Sequence, residues 1–179
     1  VDQGLVDFVA KDIHDFDAVN EDQKFDLIIL KDVIEHIHDQ GKFMKEVGKF
    51  LKTNGNIFFG FPSWRMPYGG HQQVAKSKFA SKLPYYHILP MFLYKGILKM
   101  CGESANTIEV LVEIKETRIS TRRFERLARQ NGYKIRKRRK YFIAPIYEYK
   151  FGYKPRKLWG IIGIIPWFND FFTFQSYYV

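Results

Sequence analysis

Five residues able to bind polar ligands or move protons, Asp32, Glu35, His36, His38 and Asp39, crowd into FDLIILKDVIEHIHD (25–39), directly behind a continuous apolar run. A carboxylate accepts hydrogen bonds from hydroxyl and amino groups, and an imidazole exchanges protons near neutral pH. At the end of a buried strand such groups face whatever binds beyond it. A further acid, Asp12, closes the alternating stretch VDFVAKD (6–12), while His71 in GGHQQ and His87 in PYYHILP stand in a region rich in aromatic residues. Asp32/His36 and Glu35/Asp39 are both i, i+4 pairs, one pattern of metal ligation. Around a helix the two pairs point in different directions, so no metal is expected. Cys101 has no histidine nearby in sequence and no G-x-S-x-G elbow occurs, so an acyl-transfer nucleophile is not expected and Cys101 is read as structural.

Three apolar runs can present these groups: VDFVAKD (6–12), FDLIIL (25–30) and NIFFGFP (56–62) read as strands, and their continuity fits a parallel sheet covered on both faces. Between the second and third, residues 41–52 place Phe43, Val47, Phe50 and Leu51 on one helical face, with Asn54-Gly55 as the left-handed stop. This predicts a βαβ unit. STRRFERLARQNGY predicts another helix, capped by Ser120 or Thr121, burying Phe124, Leu127 and Ala128 and ending at Gly132. The strand YKIRKRRKYFI follows, and the closing TFQSYYV (173–179) is expected to pair with it as an antiparallel edge. In an open α/β sheet ligands bind beyond the carboxyl ends of the parallel strands, where Asp12 and Asp32 are expected.

The fold expected is therefore α/β, with residues 1–63 and 117–179 forming the core. Residues 64–116, with prolines, paired glycines and irregular aromatics, read as a partly helical insertion covering the strand ends. Its mixture of aromatics with His71, Gln72, Tyr86 and His87 suits the acceptor-side wall and lid of a mostly apolar pocket. A helical buttress or homodimer surface is the competing reading.

The net charge of +10 is concentrated late: residues 115–140 carry twelve Lys or Arg against two acids. This run serves either as a solvated face or as a contact for an anionic substrate or membrane surface. It lacks interleaved stacking aromatics, which argues against nucleic acid as partner. The lone cysteine excludes an internal disulfide framework and fits a cytoplasmic protein. The run IIGIIPWF falls far short of the roughly 20 residues of a membrane span.

DFVAKDIHDF, KFDLIILKDVIEHIHD, LKTNGNIFFGFPSW and TRRFERLARQNGYKI together resemble a class I S-adenosylmethionine-dependent methyltransferase, in the broad group that includes the ubiquinone-biosynthesis methylases. The resemblance covers roughly residues 6–64 and 117–179. It implies a Rossmann-like, mostly parallel sheet, S-adenosylmethionine as cofactor and a small, hydroxylated acceptor. On the cofactor it implies Asp12 at the adenine amino group with Ile13 beside the ring, and Lys31, Asp32 and Val33 near the methionine end. His36 is the expected general base. In that family a glycine-rich loop and a ribose-binding acid belong to the first two strands, yet only eleven residues precede Asp12 and no G-x-G-x-x-G occurs. The expectation is a truncated chain, incomplete at its N-terminus, holding half a cofactor site and inactive by itself. The alternative is a noncatalytic basic module for nucleic acid or an anionic membrane surface.

Overall fold

The computed structural model describes residues 8–16, 20, 22 and 24–179. Strand β1 (Phe25–Lys31) leads through a short 3-10 turn, Ile34–His36, to helix α1 (Gln40–Lys49), and the chain returns as strand β2 (Leu51–Phe61), parallel to β1. The predicted βαβ unit is present. Asp39 caps α1 by accepting from the Lys42 amide (3.0 Å), and Phe43, Met44 and Val47 form its buried stripe.

Asn54-Gly55 does not stop that helix. The helix ends at Lys49 and the two residues lie inside β2, where the pairing jumps from Phe25 opposite Leu51 to Leu27 opposite Asn56. A Cβ on Gly55 would stand 2.9 Å from the Phe25 carbonyl oxygen, so the glycine serves the close approach of a bulge.

Helix α5 (Thr121–Gln130) follows its prediction closely. Ser120 accepts from the Arg123 amide (3.1 Å), Phe124 and Ala128 are buried, and Gly132 takes the left-handed conformation beyond the end (φ 79°). Strand β3 (Arg138–Ile143), helix α6 (Ile146–Phe151), strand β4 (Arg156–Lys157), helix α7 (Gly160–Ile164) and strand β5 (Gln175–Tyr178) complete the chain.

The sheet order is β1-β2-β5-β3-β4. Strands β1, β2 and β3 run the same way, because β5 is antiparallel to both β2 and β3. This mixed α/β sheet is consistent with a Rossmann-like methyltransferase fold. The closing strand is antiparallel as expected, and it is inserted between β2 and β3 rather than left outermost. The two-residue β4 occupies that edge.

One face of the sheet packs on α1 and α5 through Phe59, Phe61, Phe124 and Tyr178, whose rings meet at 4.5–5.8 Å. The other face does not follow the two-sided prediction. Leu27 is 54% and Ile29 64% exposed, because among the described residues no helix covers them.

Nor do residues 6–12 make the expected strand in the part described. Val6 and Asp7 lie outside the described residues, and Phe8–Asp12 is irregular, with Phe8 and Val9 exposed. A strand needs a ladder partner, and apolar alternation does not supply one.

Residues 63–117 are partly helical as anticipated: α2 (Lys78–Lys82), α3 (Met91–Met100) and α4 (Ala105–Thr117) enclose Ala75, Ala80, Tyr86, Tyr94, Leu98 and Leu111 in a core of their own. The segment is tied to the sheet where it leaves and rejoins it. Trp64 N donates to Ile119 O (2.9 Å), and Thr117 Oγ1 donates to Glu35 O (2.5 Å).

Candidate functional site

The site begins where β1 stops. Asp32 N donates to Gly60 O (2.7 Å), which carries the ladder one residue past the strand, and Asp32 then turns with φ 54°. A left-handed backbone is costly for a residue with a Cβ and persists where surrounding contacts enforce it. Here the side chain is gripped from two sides. Lys31 Nζ donates to Oδ2, and Gln175 Nε2 from β5 donates to Oδ1 (3.2 Å). Lys31 stays cationic, since its hydrogen bond to Asp32 raises its pKa.

Beyond Val33 the 3-10 turn buries Ile34 and Glu35 and leaves His36 exposed. Gln40 Nε2 donates to both Ile34 O (3.3 Å) and Thr117 O (3.2 Å), which fastens this turn to α4. Glu35 is only 4% exposed, neither carboxylate oxygen has a hydrogen-bond partner among the described residues, and burial pushes its pKa up to about 7.

The covering segment delivers the next group. At Gly69 a Cβ would lie 2.1 Å from Trp64 O, and at Gly70 one would lie 2.4 Å from His87 Cβ, so this loop closes only with glycines. Its closure sets His71, itself left-handed at φ 54°, 5.2 Å from the His36 ring, centroid to centroid. Burial, with some help from His36, holds the His71 pKa below its ordinary value. Ligand atoms of Glu35, His36 and His71 all fall within 4.8 Å of one another.

The structure thus brings Lys31, Asp32, His36 and His71 together beyond the end of β1, while Val33 packs against the main core. It adds Glu35, which had been expected to point away as half of a Glu35/Asp39 pair, and Gln175. Glu35 carries a faint sequence signal, a lone acid between Ile34 and His36; Gln175 carries none, since its neighbour is 143 residues away. Three residues expected at the acceptor are buried inside the covering segment instead. His87 is fully buried and donates from Nε2 to Trp64 O (2.7 Å). Gln72 is fully buried, with its amide donating to Pro67 O (2.8 Å) and Leu83 O (3.3 Å). Tyr86 packs on Tyr94 at 5.2 Å, its hydroxyl pKa pushed up to about 12 by burial.

Asp12 is elsewhere. It caps the 3-10 turn Ile13–Asp15 by accepting from the His14 amide (2.8 Å). Ile13 packs on the main core, and Phe16 meets Phe50 edge-on at 5.3 Å. Phe50 belongs to the opposite end of β1, where Phe25 N donates to its carbonyl (2.8 Å).

A family model described as a methyltransferase domain matches residues 3–132. The chain belongs to the methyltransferase domain family. No curated protein matches it. The family match takes in β1, the Asp32 turn, the whole covering segment and α5, so of the residues at the site only Gln175 lies outside it. Among the described residues no helix is long and apolar enough to cross a membrane.

Proposed function

We propose that this methyltransferase domain transfers a methyl group from S-adenosylmethionine to a hydroxyl of a small-molecule acceptor, of the kind implied by the resemblance to the ubiquinone-biosynthesis group. The observation that carries the reading is the left-handed Asp32 at the end of β1, with a paired histidine site immediately beyond it. Lys31, Asp32 and Val33 would hold the methionine end of the cofactor. The resemblance's assignment of Asp12 and Ile13 to adenine is not carried into this reading, because Asp12 caps the Ile13–Asp15 turn away from Asp32 and Ile13 packs on the main core. Bound beyond β1, S-adenosylmethionine would supply its methyl group to an acceptor hydroxyl held in line with the sulfonium, with S-adenosylhomocysteine as the other product. The acceptor's proton passes to His36. Positioning supplies most of the rate for such a transfer, with general-base help needed for a hydroxyl. The covering segment 64–116 forms the acceptor-side wall, with His71 as its contact and Gln72, Tyr86 and His87 holding that wall in shape.

Calorimetry on the natural full-length protein should show S-adenosylmethionine and S-adenosylhomocysteine binding. Asp32→Asn should weaken both by about 1–3 kcal/mol, the loss of a charge-assisted hydrogen bond. His36→Ala should lower methyl transfer by roughly 10²–10⁴-fold with cofactor affinity retained. Absence of binding at millimolar cofactor would sink the reading.

An additional property is favoured by a separate observation. Five arginines, Arg65, Arg122, Arg123, Arg126 and Arg129, with Glu125 and Trp167, line an open groove of about 500 Å³, and Trp159, Ile161 and Ile164 are exposed in the chain before Trp167. Cationic residues beside exposed tryptophan and isoleucine suit an anionic membrane surface, so we infer that the enzyme works against one.

A further inference from the structure

The geometry points to a divalent cation site formed by Glu35, His36 and His71. Its ligand atoms lie within 4.8 Å of one another, and among the described residues it is the one cluster of three such groups. Glu35 is 4% exposed with both oxygens unpartnered, and a carboxylate removed from water without a partner is costly unless a cation or a proton compensates it.

The second and third ligands come from different parts of the chain and are brought together by deliberate backbone geometry. The 3-10 turn carries Glu35 and His36 in succession, while the closure at Gly69-Gly70 presents His71 in a left-handed conformation. Two elements held in strained or tightly packed geometry to appose two imidazoles and a carboxylate are poorly explained by packing alone. Asp32 is a neighbouring negative charge already engaged by Lys31 and Gln175, so it adds to the field rather than to the ligand set.

Two imidazoles and one carboxylate favour a first-row transition-metal dication over magnesium or calcium, and three protein ligands leave a position open. His36 is exposed, so the cluster is reachable from solvent. The inference rests on the methyl-transfer reading for its use: an acceptor hydroxyl bound at the open position would lose its proton to solvent more readily and attack the methyl group as an alkoxide. With the cation bound, His36 is its ligand and the proton goes to solvent; in the metal-free protein His36 is the base, as in the reading above.

A plainer reading exists. A cavity of about 10 Å³, room for a single water, is lined by both Glu35 and Trp64, and Trp64 Nε1 also lacks a partner. One water joining them would satisfy Glu35 without any metal.

The test is metal binding by the chelator-stripped full-length protein, without cofactor. Cobalt(II) should bind with one ion per chain and give the visible absorption of a low-symmetry nitrogen and oxygen site, and zinc should displace it. Glu35→Gln and His71→Gln should each weaken binding by at least about tenfold, with melting temperature recorded for both. Glu35→Gln keeps size and removes a buried charge, so it remains informative even where His71→Gln fails to fold. Substoichiometric binding, or a Glu35→Gln protein that binds cobalt as tightly as wild type, overturns the site and leaves the water reading. S-adenosylmethionine calorimetry on the same samples separates the two ideas. Cofactor binding without metal binding removes the cation alone, and metal binding without cofactor binding removes methyl transfer alone.

Discussion

His87 has no exposure, and its Nε2 must donate, because its partner is the Trp64 carbonyl. Its Nδ1 faces the Gln72 amide nitrogen (3.4 Å), and the neutral ring is the tautomer protonated at Nε2. Burial pushes its pKa down to about 4 from 6.5. The sign of the consequence follows from proton counting. Below pH 6.5 the unfolded chain binds a proton that the folded one refuses, so His87 makes stability fall as pH drops from 6.5 toward 4. Between pH 6.5 and 5 the loss should be about 2 kcal/mol, and His87→Gln should remove that part of the slope while lowering stability at pH 7. Urea titrations of both proteins across pH 7 to 5 check it; parallel slopes would show that His87 does not titrate as its burial implies. Lys115 is a related case. Its ammonium is buried, donates to His87 O and to Leu89 O (2.7 Å), faces the Trp64 and Tyr94 rings, and has its pKa pushed down to about 8. One cation of the basic run is thus a fastener for the wall of the site.

At the scale of elements, α5 has two consecutive polar residues at its start, and they do different jobs. Ser120 caps the helix, while Thr121 donates from Oγ1 to the buried Asp170 (2.6 Å), joining the helix to the turn before β5. Ser120→Ala should cost about 1 kcal/mol in a thermal or urea melt, the usual value of an N-cap. No change would mean that the Thr121–Asp170 bond alone positions the helix end. Elements such as α1, α5 and the parallel β1/β2 pair were legible in the sequence because their signals are local: periodic apolar residues, a capping side chain, a terminating glycine. Three features were not. Residues 8–12 have a strand's alternation without a strand's partner. Asn54-Gly55 has the composition of a helix stop yet forms a bulge, because the chain re-enters the sheet at Leu51. The place of β5 between β2 and β3 is a long-range choice that no window of sequence records. The site divides in the same way. Asp32 and His36 were readable from a strand end, whereas Glu35 joins them only because His71 folds back across 35 residues of chain, and the aromatic segment that flagged His71 also flagged Gln72, Tyr86 and His87, which are interior.

For the whole molecule, the net charge of +10 has to be set against where it is already paired. Arg138 reaches Glu125 at 3.1 Å, Arg136 reaches Asn56 at 3.1 Å, and Arg123 donates to Thr117 O at 3.0 Å, so part of the basic run holds the fold together. Arg122 and Arg126 remain in the open groove beside Arg65, which pairs with the buried Asp170 (3.7 Å) and stands 5.9 Å from the centre of the exposed Trp167 ring. The chain before Trp167 exposes Trp159, Ile161 and Ile164 by 71%, 83% and 79%, and Lys150, Lys154, Arg156 and Lys157 lie just upstream on the surface. Basic residues at an anionic surface contribute about 1 kcal/mol each and are screened within roughly 8–10 Å at physiological salt, while inserted tryptophan and isoleucine add an apolar component that salt does not screen. The protein should therefore sediment with phosphatidylserine-containing vesicles and not with neutral ones. Raising salt should weaken the association without abolishing it. Ile161→Asp with Ile164→Asp should remove the salt-resistant part, and Arg122→Glu with Arg126→Glu the salt-sensitive part, with cofactor affinity retained in both. Equal sedimentation with neutral and anionic vesicles, or no loss in either double variant, would show that the basic groove and the apolar chain beside it do not act together as a membrane contact.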